Sequence, residues 1–144
     1  MTASSDSASS AGLLRRTLWG NAVFSVVSGA VLATFASSLA SAATHAPVSV
    51  AGLELAIVLE LLGIGVVAFG AVCAWVASRD RLPQGWARAI FAADIAWVAA
   101  SALVLALPAS WTTAGAAGIV MLAVIVADLA ILEYLGLRRL GSGN

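Results

Sequence analysis

The sequence predicts an all-α integral membrane protein, a four-helix up-and-down bundle, and three observations support this fold class. Hydrophobic residues make up 62% of the 144 residues, charged residues only 10%, and the mean hydropathy is +1.04. A water-soluble domain carries about 25% charged residues. Four apolar stretches each have about the 20 residues that cross a bilayer as a helix. All the basic residues are arginines that flank these stretches. The expected surroundings of the chain are therefore a lipid bilayer.

The first predicted element is a tail over residues 1–12, which is small, polar and without apolar periodicity, and which we expect to be disordered. A single transmembrane domain then covers 13–140. Its first helix is predicted over 18–39, directly after Arg15 and Arg16. A short loop follows this helix.

The second helix is predicted over 53–77 and is closed by a turn rich in charge, Pro and Gly. The third is predicted over 87–107, because Pro108 lacks a backbone N–H and restricts the residue before it. The fourth is predicted over 113–137, and 141–144 form a second tail. Loops this short make consecutive helices antiparallel neighbours.

The arginines predict the orientation of the bundle. Cytoplasmic loops of membrane proteins carry the excess of basic residues. The chain has arginine but no lysine and is rich in alanine, a bias typical of GC-rich bacterial genomes. We therefore expect a multi-pass protein of the bacterial cytoplasmic membrane with both termini in the cytoplasm. The seven arginines precede the first helix, lie between the second helix and the first turn of the third, or follow the fourth: Arg15, Arg16, Arg79, Arg81, Arg88, Arg138 and Arg139.

The first apolar stretch has an alternative interpretation. Two arginines, an apolar segment and the small residues Ala40, Ser41 and Ala42 are also typical of a secretory signal peptide, whose cleavage would leave three helices. The segment is longer than the usual core of about 7–15 residues, which favours a retained helix.

An internal match relates the first predicted helix to the third. Placing Asn21 on Asp94 also places Ser28 on Ser101, followed in both helices by a small residue and Val-Leu-Ala. A true match predicts two helical hairpins in parallel repeat, an organisation found in transporters. Two alanine-rich apolar helices can also match by composition alone.

Five polar residues within the spans are the candidate site: Asn21, Glu60, Asp94, Asp128 and Glu133. At 1.5 Å per residue, Asn21, Asp94 and Glu133 lie about 8–10 Å inside the arginine-bearing boundary and Asp128 about 15 Å, so we expect one polar layer. Glu60 lies nearer the other face, on a stripe of small residues, and is expected to point into the bundle or a dimer interface.

Two residues are candidates to line a cavity. Trp97 and Ser101 share the face of the third helix that carries Asp94. The face of an indole ring attracts organic cations, although packing in the core is an equally ordinary role for Trp97.

Two functions fit these residues. In the first, the buried carboxylates are proton or cation sites of a carrier or channel, where proton and substrate compete. In the second, the acids hold helices together, and the chain is a structural or regulatory subunit that binds another membrane protein through small-residue faces. Either function implies a homo-oligomer or a membrane-protein partner.

Composition argues against the other classes of function. Seven acidic residues balance the seven basic ones, so nothing favours binding of nucleic acid. Cys73 and His45 are each the only residue of their type, which provides neither a disulfide pair nor a two-histidine haem site. No nucleophile accompanies a base. We expect no catalytic residue, no metal, no cofactor and no enzymatic activity.

Overall fold

The computed structural model describes the backbone of residues 3–107 and 111–141, and the side chains of 12–107 and 111–139. The described chain is almost entirely helical, and four of its helices are long and apolar enough to cross a membrane. The all-α, four-helix, multi-pass fold is therefore confirmed. The helices are α1 (Ala3–Thr34), α2 (Ala36–Ala43), α3 (Leu55–Ala77), α4 (Gln84–Ala106) and α5 (Thr113–Gly141).

The first span differs from its prediction at both ends. Helix α1 begins at Ala3, within the segment for which the sequence predicts a disordered tail. Serine, a weaker helix former than alanine, predominates in this segment, but no proline interrupts it, so the helix can extend from the apolar turns that follow. The helix bends at Phe35, whose amide still donates to the Val31 carbonyl at 3.0 Å, and α2 continues to Ala43. The helical segment therefore extends beyond the predicted 18–39 at both ends, and its stretch apolar enough to cross a membrane is Gly12–Thr34.

A short β-hairpin, absent from the prediction, precedes α3. Strands β1 (Ser49–Val50) and β2 (Leu53–Glu54) pair antiparallel. The two residues between them, Ala51 and Gly52, have φ of 51° and 82°. A two-residue hairpin turn with positive φ at both positions matches the twist of the strands. The hairpin therefore shifts the start of the second span from residue 53 to Leu55.

The last two spans start and end near their predicted positions. Helix α4 starts three residues early, where the amide of Ala87 donates to the Pro83 carbonyl at 3.1 Å. It ends at Ala106, and Pro108, the predicted stop, lies outside the described residues. Helix α5 runs past its predicted end to Gly141, so one residue of the predicted tail is helical and 142–144 lie outside the description.

The four long helices pack as two pairs, α1 with α3 along their length and α4 with α5, and the two pairs meet where α1 packs against α5. Helices α3 and α4 approach each other little, and in the described part of the chain the backbones of α1 and α4 make no close approach. The expected packing of consecutive helices thus holds within each hairpin but weakly between α3 and α4. The bundle is open on that side.

Glycines bring α1 and α3 into backbone contact. A Cβ placed on Gly63 would lie 2.5 Å from the Ala33 amide nitrogen and 2.6 Å from the Gly29 carbonyl oxygen. No side chain fits in such a gap, and close approach of this kind is how small residues join helices in lipid. The small-residue stripe predicted on the second helix therefore packs inside the bundle.

One end of the bundle carries the arginines. The Arg15 guanidinium donates through Nη2 to the carbonyls of Arg79 at 2.7 Å and Asp80 at 3.0 Å, which ties the start of the first span to the loop after α3. Antiparallel connections place the start of α4 and the end of α5 here as well. We call this the arginine end.

The opposite end is closed by Thr112. Its amide donates to the Ala43 carbonyl at 2.8 Å, and its hydroxyl donates to the Ala42 carbonyl at 2.6 Å. The same hydroxyl accepts from the Gly115 amide at 2.9 Å, which caps the first turn of α5. The end of α2 is thereby fixed to the start of α5.

Candidate functional site

One buried amide serves two carboxyl groups at the arginine end of the bundle. Asn21 Nδ2 donates to Asp94 Oδ2 at 2.6 Å and to Glu133 Oε1 at 3.0 Å. The three side chains are 1%, 4% and 0% exposed, in the same order. We call Asn21, Asp94 and Glu133 the polar cluster; its members come from α1, α4 and α5.

The orientation of the amide follows from its neighbour. Ser25, one turn further along α1, donates its hydroxyl to Asn21 Oδ1 at 3.1 Å. With the amide oxygen occupied by this donor, the NH₂ group faces the two acids. A serine spaced four residues from the asparagine therefore fixes which groups the amide can bind.

The polar cluster has room for a proton. Asp94 and Glu133 accept from the same Asn21 nitrogen, so their carboxyl groups lie close together in a buried place. Two ionised carboxylates at such a separation repel each other, which favours a state with one proton on the pair. Glu133 Oε2 is buried and has no hydrogen-bond partner among the described residues. This oxygen is therefore an unoccupied position of the polar cluster where a proton can bind.

A cavity of about 320 Å³ adjoins the polar cluster. Asp94 and Asn21 lie on its wall, together with the Trp97 ring, and residues of α1, α3, α4 and α5 surround it. It lies where α3 and α4 do not pack against each other. The other polar side chains that line it are two serines of α1, Ser25 and Ser28. The remaining walls are apolar and include Phe24, Phe69, Leu122 and Val126.

The second cavity-lining candidate lies elsewhere. Ser101 does not line the described cavity, and its hydroxyl donates to the Trp97 carbonyl of the same helix at 2.9 Å. A serine within a helix commonly makes this bond to the carbonyl four residues earlier. Of the two cavity-lining candidates, Trp97 therefore lies on the wall of this cavity and Ser101 does not.

Two of the five candidate residues stay outside the cluster. Asp128 is exposed, because five residues separate it from Glu133, which turns it about 140° around α5. Asp128 therefore does not join the polar cluster.

Glu60 is exposed on α3 and does not point into the bundle. Gly63 and Gly70 of its stripe face α1, and Glu60 lies at the edge of that face. Its place in a dimer interface stays a prediction.

Sequence reasoning missed the wall that α3 gives to the cavity. Leu62, Gly65 and Phe69 line it. Their spacing of three and four residues is that of one helix face. That spacing was the available signal, but the apolar residues on the other faces of α3 concealed it.

In the described part of the chain, no group of three or more His, Cys, Asp or Glu side chains is placed to hold a metal ion. The two carboxyl groups and the amide of the polar cluster are instead joined to one another by hydrogen bonds. Comparison of the chain with protein-family models, curated proteins and solved structures finds no match.

Proposed function

We propose that the chain is a small carrier of the bacterial cytoplasmic membrane that exchanges protons for an organic cation. The observation that carries this proposal is the position of Asp94. This carboxyl group accepts a hydrogen bond inside the polar cluster and also lies on the wall of the cavity. One group can therefore meet both a proton and a substrate.

The polar cluster supplies the proton site of the proposed carrier. Two carboxylates that share one donor in a buried place repel each other, so we infer that the pair holds one proton between them. The Asn21 amide donates to both acids and stabilises the one charge that is left. Buried acids in a membrane span commonly mark a proton pathway.

The cavity supplies the substrate site. Its volume of about 320 Å³ is at the lower end of small-molecule sites, which are about 300–1,000 Å³. Asp94 offers a negative charge and Trp97 the face of a large aromatic ring, a combination suited to an ammonium or other organic cation. The apolar walls suit the hydrocarbon part of such a molecule.

Competition couples the two sites. A cation that enters the cavity takes the negative charge of Asp94 as its partner. With one proton bound, the pair of acids carries one negative charge. The positive charge of the cation offsets the repulsion between two ionised carboxylates, which lowers the free energy needed to release the shared proton. The reverse order returns the proton and releases the cation. With the arginine end in the cytoplasm, by the positive-inside rule, the polar cluster exchanges its proton near the cytoplasmic side.

Proton flux in proteoliposomes tests this proposal. The probe is benzyltrimethylammonium, which carries a fixed charge and cannot itself move protons, and a pH-sensitive dye inside the vesicles reports the flux. We expect a gradient of the probe to drive proton movement in vesicles that hold the chain and not in empty vesicles. Asp94→Asn should abolish the flux, and Ser101→Ala, on the same helix, should retain it. Equal flux in the Asp94→Asn and unchanged proteins would contradict the proposal.

A second candidate function has one observation in its favour. Asp128 and Glu60 are acidic, lie within membrane-spanning helices, and are exposed on the outside of the bundle. A carrier that works alone has no use for such groups. A subunit that binds another membrane protein does.

A further inference from the structure

The face of α5 around Asp128 is apolar apart from this one carboxylate. Three of its residues, Val124, Met121 and Ile131, are spaced three to seven positions from Asp128 and are exposed. Leu132 is exposed one turn beyond it. Residues at these spacings share one side of a helix. This side of α5 therefore presents a continuous apolar surface with an acid in its middle.

Asp128 lies far from both ends of its span. Ten residues separate it from Arg138 and fifteen from Thr113, which are about 15 Å and about 22 Å along the helix. An aspartate side chain is too short to reach the headgroups from that depth. Glu60 differs, because it stands five residues, about 8 Å, from the start of α3 and has a longer side chain. Asp128 is thus the carboxylate that lipid cannot accommodate.

We propose that the Asp128 face of α5 binds a transmembrane helix of another membrane protein that carries an arginine at mid-depth. An exposed acid in hydrocarbon needs a hydrogen-bonding partner of opposite charge, and a guanidinium binds a carboxylate through two parallel hydrogen bonds. The apolar residues on either side of Asp128 provide the surface against which the rest of the helix packs.

A second copy of this chain is not the occupant. All seven of its arginines lie at the arginine end, so a second copy has no basic residue to offer at the depth of Asp128. The partner that supplies a positive charge at this depth must therefore be a different protein. The inference rests on the second candidate function, the subunit, and is independent of proton exchange.

Energy transfer in lipid vesicles tests this inference. The full chain carries a donor fluorophore at its amino terminus, and the probe is an acceptor-labelled transmembrane peptide of leucine and alanine with one central arginine. The reference peptide has leucine at that position. We expect the arginine peptide to bind about tenfold more tightly than the leucine peptide. Asp128→Asn should remove this preference, Asp128→Glu should keep it, and Glu60→Gln should leave it unchanged.

Two results would overturn the inference. One is equal binding of the two peptides to the unchanged chain. The other is energy transfer between differently labelled copies of the chain that Asp128→Asn abolishes, which would make a second copy the occupant. Asp128 has an exposed side chain, so its variants should fold; helical circular dichroism checks this. Flux measured on the same Asp128→Asn protein should be normal, which separates failure of this inference from failure of the carrier.

Discussion

Asn21 and Asp94 are hydrogen-bonded at 2.6 Å although they stand on α1 and α4, whose backbones do not approach closely in the described structure. The bond therefore bridges a space that main-chain packing leaves open. That space includes the cavity whose wall both residues share. The same contact thus holds the two hairpins together and places a carboxyl group where a ligand can reach it.

Replacing Asn21 with leucine should destabilise the protein by about 2–3 kcal/mol, because two buried acids lose their common donor. Unfolding by sodium dodecyl sulfate in mixed micelles, followed by circular dichroism, measures this change. Ser101→Ala is the matched control and should cost about 0.5 kcal/mol or less, since its hydroxyl bonds only its own helix. An Asn21→Leu protein as stable as the control would show that the amide bonds contribute little.

Gly63 and Gly65 should respond oppositely to alanine. A Cβ on Gly63 meets the backbone of α1 at 2.5 Å, whereas a Cβ on Gly65 meets nothing within 4 Å. Gly63→Ala should therefore cost about 1–3 kcal/mol by forcing the helices apart. Gly65→Ala should be neutral or stabilise the helix by up to about 1 kcal/mol. The same unfolding assay compares the two, and equal losses would contradict the close contact of α1 with α3.

Thr112→Val should loosen the end of the bundle opposite the arginines. The variant loses the bond to the Ala42 carbonyl and the cap on the Gly115 amide, at a cost of about 1–2 kcal/mol. Hydrogen exchange should report faster opening of the first turn of α5. Thr112→Ser should behave as the unchanged protein, and so should Thr113→Val, because Thr113 is exposed. An unchanged rate of hydrogen exchange in Thr112→Val would contradict a role of these two hydroxyl bonds in holding the end of the bundle together.

Much of the fold could be predicted because hydrocarbon thickness sets the length of each apolar run. The similar depth of Asn21, Asp94 and Glu133 could also be predicted, because each stands at a similar distance from the flanking arginines. In the structure Asn21 donates to both acids. The choice between Glu133 and Asp128 could not be predicted. It depends on how α5 is rotated, and apolar residues on all sides of that helix carry no signal for the rotation.

The open side of the bundle could not be predicted either. The short turn between α3 and α4 forces these helices to be antiparallel, and short loops of this kind predict that the two helices pack against each other. A short loop holds only the adjoining ends together, and here Trp75 and Trp86 meet edge to face with ring centroids 5.5 Å apart. Close packing along the full length needs small residues on both facing sides. Such contacts join α1 to α3, where Gly29 and Gly63 meet.

Proton release on ligand binding tests the central claim most directly. Benzyltrimethylammonium is titrated into the detergent-solubilised protein in two buffers with different heats of ionisation, and the difference in binding heat gives the number of protons released. We predict release of about one proton per cation bound at neutral pH, because both compete for the polar cluster. Glu133→Gln should bind the cation and release none. Binding of the cation to the unchanged protein without proton release would contradict the coupling of the polar cluster to the cavity.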